Sequence, residues 1–214
     1  MRLVFACIFA TSLLLATNAR AQPRPCPPSR EIEARISFIR SALRENARHA
    51  QTWSSGWGLF GVGVASGSIA LAAASETSHD RIVWLAQGLP ALGFPALMLI
   101  DPLQVMSDDR DLERLTQERG TSSCEVLRVA EIYLQKDARD EKTKTNLFAH
   151  ALGILANVAS SAVIVIGTGD WGAALLNGAG GIVVSEANLW TLPTGAANAA
   201  SAYHARSFGV TIPW

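Results

Sequence analysis

The chain has 214 residues, 49% of them hydrophobic and 17% charged, and its 18 basic and 18 acidic side chains cancel. A nucleic-acid binder needs a basic surplus to displace counterions, so this balance argues against that partner class. The charged share is below the usual quarter of a soluble domain, and the length bounds the chain to one domain with appendages.

The first segment reads as a signal peptide. MRLVFACIFATSLLLATNARAQ has a basic start at Arg2, an apolar run over 3–16 and small residues at Ala19 and Ala21 before Gln22. That pattern predicts removal of residues 1–21, with cleavage after Ala21. Arg far outnumbers Lys, and Ala and Gly abound, which is the usage of a GC-rich bacterial genome. Cleavage removes Cys7 and leaves Cys26 and Cys124. In an oxidising compartment an even pair points to a disulfide.

Residues 22–52 form a proline-rich lead, QPRPCPP, and then an amphipathic helix that Ser29 is placed to cap. Ile32, Ile36, Ile39 and Leu43 recur at helical spacing and need a partner surface, either another helix of this chain or a second copy. Residues 53–104 read as the first apolar hairpin. GWGLFGVGVASGSIALAAAS (56–75) and IVWLAQGLPALGFPALMLI (82–100) carry no charge, and Pro90 and Pro95 predict kinks in the second. Residues 105–146 are a charged connector of two helices, the first stopped by Gly120 and the second opened by a capping box of Ser122 and Glu125. Residues 147–192 make the second apolar hairpin, LFAHALGILANVASSAVIVIG and WGAALLNGAGGIVVSEANLW around a tight turn at 167–170. The tail, 193–214, is rich in small residues, and its first half can continue as helix past Pro193.

The two halves align as one hairpin used twice. Gly63–Ile69 matches Asn157–Val163, Gln87-Gly88 matches Asn177-Gly178, and Pro102 matches Pro193. The expected fold is therefore all-α: four apolar helices in two hairpins with an internal repeat, plus amphipathic exported helices.

Four apolar runs of about twenty residues fit a hydrocarbon core of roughly 30 Å, which predicts an integral membrane protein. Gly63 and Gly67, with Gly153 and Ser161, supply small-residue spacing for close helix packing. Trp53, Trp57, Trp84, Trp171 and Trp190 fall at the run ends, as in an aromatic belt. An exported N-terminus puts Cys26, Cys124, the connector and the tail on the oxidising side, with 76–81 and 167–170 inside. Arg81 is then the lone basic residue inside, against the positive-inside rule. A soluble periplasmic bundle of the same hairpins stays open as the alternative.

Ionisable groups within apolar runs are costly and often functional. His150, Glu186 and Asp101 lie at one level near the outer ends of the helices and form the candidate polar cluster. The scattered histidines lack metal-ligand spacing, and neither a phosphate loop nor a nucleophile motif is present, so no cofactor, metal or catalytic residue is expected. The expectation is a non-enzymatic inner-membrane protein in contact with lipid, with a structural or protein-interaction role and a protein partner or a second copy on its exported face. The alternatives are a small transporter or channel subunit, or a soluble bundle binding an apolar ligand.

Overall fold

A computed structural model describes residues 26–207. The signal sequence and its cleavage point after Ala21 lie outside these residues. The described chain is all-helical, without a strand. Its eight helices are α1 (Ser29–Ala74), α2 (Ser78–Ala91), α3 (Gly93–Ile100), α4 (Val105–Gln117), α5 (Ser123–Lys144), α6 (Leu147–Thr168), α7 (Trp171–Trp190) and α8 (Gly195–Ser207).

α1 differs from its expected division near residue 53. Its 46 residues run as one unbroken helix, roughly 69 Å long at 1.5 Å per residue. Ser54-Ser55-Gly56 lowers helix propensity but removes no backbone donor, so the ladder continues. The N-cap position belongs to Pro28, and Ser29 is the first helical residue without a side-chain cap.

The N-terminal half of α1 packs with α4, α5 and α8 into a polar bundle. The isoleucine stripe finds its partner within this chain: Ile32, Ile39 and Leu43 are buried against Leu112, Ala130, Leu134 and Ala196. Each fully buried Ile or Leu contributes roughly 1.5–3 kcal/mol relative to exposure. Ser122 caps α5 as expected, accepting from the Glu125 amide at 3.2 Å. Gly120, at φ 96°, makes the left-handed turn that ends the preceding segment. At the tip, Cys26 and Cys124 are joined in a disulfide, with their Cα atoms 6.0 Å apart.

The C-terminal half of α1, with α2, α3, α6 and α7, forms an apolar bundle. The run expected over 82–100 is two helices. Pro90 lacks an N–H, the helix ends at Ala91, and α3 restarts at Gly93. The second hairpin turns at Gly169, which is left-handed at φ 73°, before Asp170 caps α7 through the Ala173 amide at 2.8 Å.

The apolar bundle keeps only a small buried apolar core, Ala86, Ile164 and Ala174, and places polar side chains beside it. Ser160, Ser68 and Asn188 are buried within it, while Leu99 (84%), Ile100 (80%), Ile166 (86%) and Leu176 (78%) are exposed. Three helical stretches, Ser29–Ala74, Ser78–Gln117 and Ser123–Thr168, are long and apolar enough to cross a membrane. The fourth expected run, α7, is not among them, because Asn177, Glu186, Asn188 and its glycines lower its hydropathy. It is carried as the close partner of α6.

The element order recurs. A long helix enters from the polar bundle, a return helix follows, and a short helix rejoins the polar bundle: α1, α2–α3, α4, and then α5–α6, α7, α8. The leading stretches Ser29–Ala74 and Ser123–Thr168 have the same length, 46 residues.

Candidate functional site

The site lies between the two hairpins. At their base the hairpins meet closely. A Cβ at Gly167 would sit 3.1 Å from Ile82, and Ser160 donates to the Ala86 carbonyl at 2.5 Å. Above that level they part. α3 swings onto α1, where a Cβ at Gly61 would lie 2.6 Å from the Ala91 carbonyl and 2.9 Å from Pro95. The break between Pro90 and Gly93 thus leaves a cleft that faces α6 and α7.

This cleft has a volume of about 730 Å³ and reaches from Ser160 and Asn177 up to the junction with the polar bundle. Phe60, Val64, Phe94, Leu97, Leu152 and Leu189 give it an apolar wall. Its polar wall is a ladder of small side chains. Asn177 donates to Ser160 at 3.0 Å, and Asn157 donates to Ser185 at 2.9 Å and to the Gly153 carbonyl at 2.8 Å. The ladder requires glycine opposite Asn157, because a Cβ at Gly181 would overlap the asparagine Oδ1. Near the top, Asn188 lines the cleft, is 8% exposed, and has no hydrogen-bond partner for its Nδ2.

At the junction, Lys144 closes the upper rim, with Nζ 3.0 Å from Asp140, 3.3 Å from Asp101 and 3.2 Å from the Pro102 carbonyl. Trp53 and Trp57 both donate to the Thr191 hydroxyl at 3.1 Å, which ties α1 to the end of α7. Just above, the buried Glu141 carboxylate accepts from Asn46 and from the amides of Ala196 and Ala197 at 3.0 and 2.8 Å. It satisfies the first free donors of α8. Burial raises its pKa above the usual carboxylate range, against the pull of those amides.

A second acidic group lies deeper in the polar bundle. Asp137 is 1% exposed, and its carboxyl group lies against the Asp108 carboxylate. Burial first, and the nearby Asp108 carboxylate second, push its pKa up to about 8. Asp108 itself pairs with Lys136 at 3.0 Å, a bond that raises the lysine.

Of the candidate cluster, His150 and Glu186 come together, with Nδ1 to Oε2 at 2.8 Å between α6 and α7. Asp101 does not join them. It terminates α3, is largely exposed, and pairs with Lys144 instead. Gly153 and Ser161 do face α7: a Cβ at Gly153 would lie 3.3 Å from Ser185, and one at Gly178 would lie 2.6 Å from the Ser161 hydroxyl. Gly63 and Gly67 lie off the helix seam, exposed, and a Cβ on either meets nothing within 4 Å. The seam of α1 is Gly61, Ala65, Ser68 and Ala72, with Ser68 against Gly88. Among the described residues no group of three or more His, Cys, Asp or Glu is placed to hold a metal ion. The orphaned Asn188 and the bonded ladder between α6 and α7 have no sequence signature.

A scan against protein-family models and searches of curated proteins and solved structures gave no match to this chain.

Proposed function

We propose that the protein is a non-enzymatic integral protein of the bacterial inner membrane, with its polar bundle on the periplasmic side as a structural or protein-contacting element. The observation that carries this reading is α1, one unbroken helix shared by the polar and apolar bundles. Such a helix couples the two bodies rigidly, so position in the bilayer sets the position of the polar bundle. The apolar bundle supports the membrane placement. Its exposed Leu, Ile, Val and Phe side chains present apolar surface that lipid tails would cover. Placing Cys26 and Cys124 in an oxidising compartment supports the orientation.

Alkaline carbonate washing of membranes tests the placement. The protein is expected to stay in the pellet and to need detergent; release into the supernatant would refute it. Orientation is tested with an impermeant thiol reagent on cells with a permeabilised outer membrane. Gln117→Cys is expected to label and Ser78→Cys is not; the reverse pattern would invert the assignment.

The His150–Glu186 pair favours a second reading, a small transporter subunit with a proton-carrying polar pair. Proton-linked flux lost in both His150→Ala and Glu186→Gln would support it, and no flux in the wild type would remove it.

A further inference from the structure

We propose that the inter-hairpin cleft holds one ester-linked membrane lipid, with an acyl chain against the apolar wall and an ester carbonyl accepting from Asn188. This inference rests on the membrane placement proposed above and adds a ligand to it.

Three observations carry it. The cleft, about 730 Å³, lies within the roughly 300–1,000 Å³ range of small-molecule sites. Its polar ladder is already bonded internally, so the wall asks little of a ligand along most of its length. Asn188 is the exception. Its Nδ2 is buried without a partner, which costs free energy unless a ligand supplies an acceptor.

The level of that donor selects the chemistry. Asn188 sits two residues before Trp190 and three before Thr191, the residue that anchors the Trp53 and Trp57 indoles. Tryptophans mark the headgroup boundary of a bilayer. A donor at that depth meets glycerol ester carbonyls, with the acyl chain running below it towards Ser160. The charged rim argues against a ligand carrying a bare anion into the cleft. Lys144, the cation there, is already engaged by Asp140 and Asp101.

Entry from the side is open. Leu97 (61%), Leu152 (53%) and Leu176 (78%) line the cleft and are more than half exposed. The mouth is therefore apolar at the level where lipid chains lie, and a lipid can slide in without crossing water.

The test uses the full mature protein, purified from washed membranes in detergent and examined by native mass spectrometry. The wild type is expected to carry one diacyl lipid. After delipidation it is expected to rebind dioleoylphosphatidylethanolamine roughly tenfold more tightly than the ether-linked analogue, which lacks the ester carbonyls. Asn188→Leu is expected to lose that preference. Gly180→Phe fills the cleft from a position where an added Cβ meets nothing within 4 Å, and is expected to lose the adduct. Val183→Phe, on the outer face of the same helix, is the folding control and is expected to keep it.

Equal binding of ester and ether lipid overturns the carbonyl contact. A Gly180→Phe protein that keeps the adduct, or a wild type that carries a peptide or a second copy in place of lipid, overturns the site. A protein that stays in the carbonate pellet yet binds no lipid refutes this inference alone. One that washes free refutes the membrane placement with it.

Discussion

Asp137→Asn is expected to make the protein less sensitive to pH. Asp137 is buried beside Asp108, and its pKa stands near 8 against 3.8 for an unperturbed aspartate. Between those values the unfolded chain has released the proton and the folded chain still holds it. The folded state thus binds more protons, and stability falls as pH rises, by about 1.4 kcal/mol per pH unit. The contribution is intact below about pH 4 and is lost as pH rises towards about 8. The amide cannot ionise, so the variant lacks this slope. Glu141 is raised in the same direction but is present in both proteins, so the difference between them isolates the Asp137–Asp108 pair. The assay is thermal unfolding in detergent, followed by tryptophan fluorescence from pH 5 to pH 8.5. The gap in apparent Tm between variant and wild type should widen steadily up to pH 8 in favour of the variant. Parallel profiles would refute the assignment of Asp137 as a protonated buried acid.

Two further substitutions probe the tip and the seam. Cys26→Ser opens a crosslink between residues 98 apart, for which loop-closure entropy predicts a loss of roughly 4–5 kcal/mol; reductant should lower the wild-type Tm towards the variant's and leave the variant unchanged. Gly61→Ala should destabilise the first hairpin, because its Cβ would fall 2.6 Å from the Ala91 carbonyl, whereas Gly63→Ala meets open space and should be neutral or slightly stabilising. Equal Tm values for the two glycine variants would refute the packing of α3 on α1.

The element order and the hairpins were legible because apolar runs, turn residues and caps agree along the chain. The His150–Glu186 contact was legible for a geometric reason. A tight turn between two uninterrupted helices fixes which residues are level, and these two lie at similar distances from it. Asp101 was misjudged because Pro90 and Gly93 break the return helix and redirect α3, so residue counting no longer gives its neighbours. The seam on α1 was misplaced by two residues. Small side chains occur all round this helix, so glycine spacing alone cannot choose a face; Ala91 at the end of α2 and Pro95 of α3 chose Gly61. The continuity of α1 was hidden by Ser54-Ser55-Gly56, whose weak propensity is overridden by packing on both sides. The partners of the isoleucine stripe came from three separate helices, α4, α5 and α8, the last of them near the far end of the sequence and beyond the reach of any local pattern.

That last feature bears on how the chain is made. The polar bundle takes its first wall from α1 and its last from α8, with Glu141 waiting for the amides of Ala196 and Ala197. Ribosomes deliver these walls in that order, so α1 is covered in stages, by α4 and α5 first and by α8 last. Ile39 and Leu43 meet Leu112 and Leu134 once the connector is made but lack their α8 cover until the second hairpin has been synthesised, and Cys26 has no partner until Cys124 emerges behind it. A chain that stalls before Gly195 leaves an apolar stripe and an uncapped acid on display. Quality-control proteases can read that as an unfinished product, which makes the C-terminal helix the seal on biogenesis.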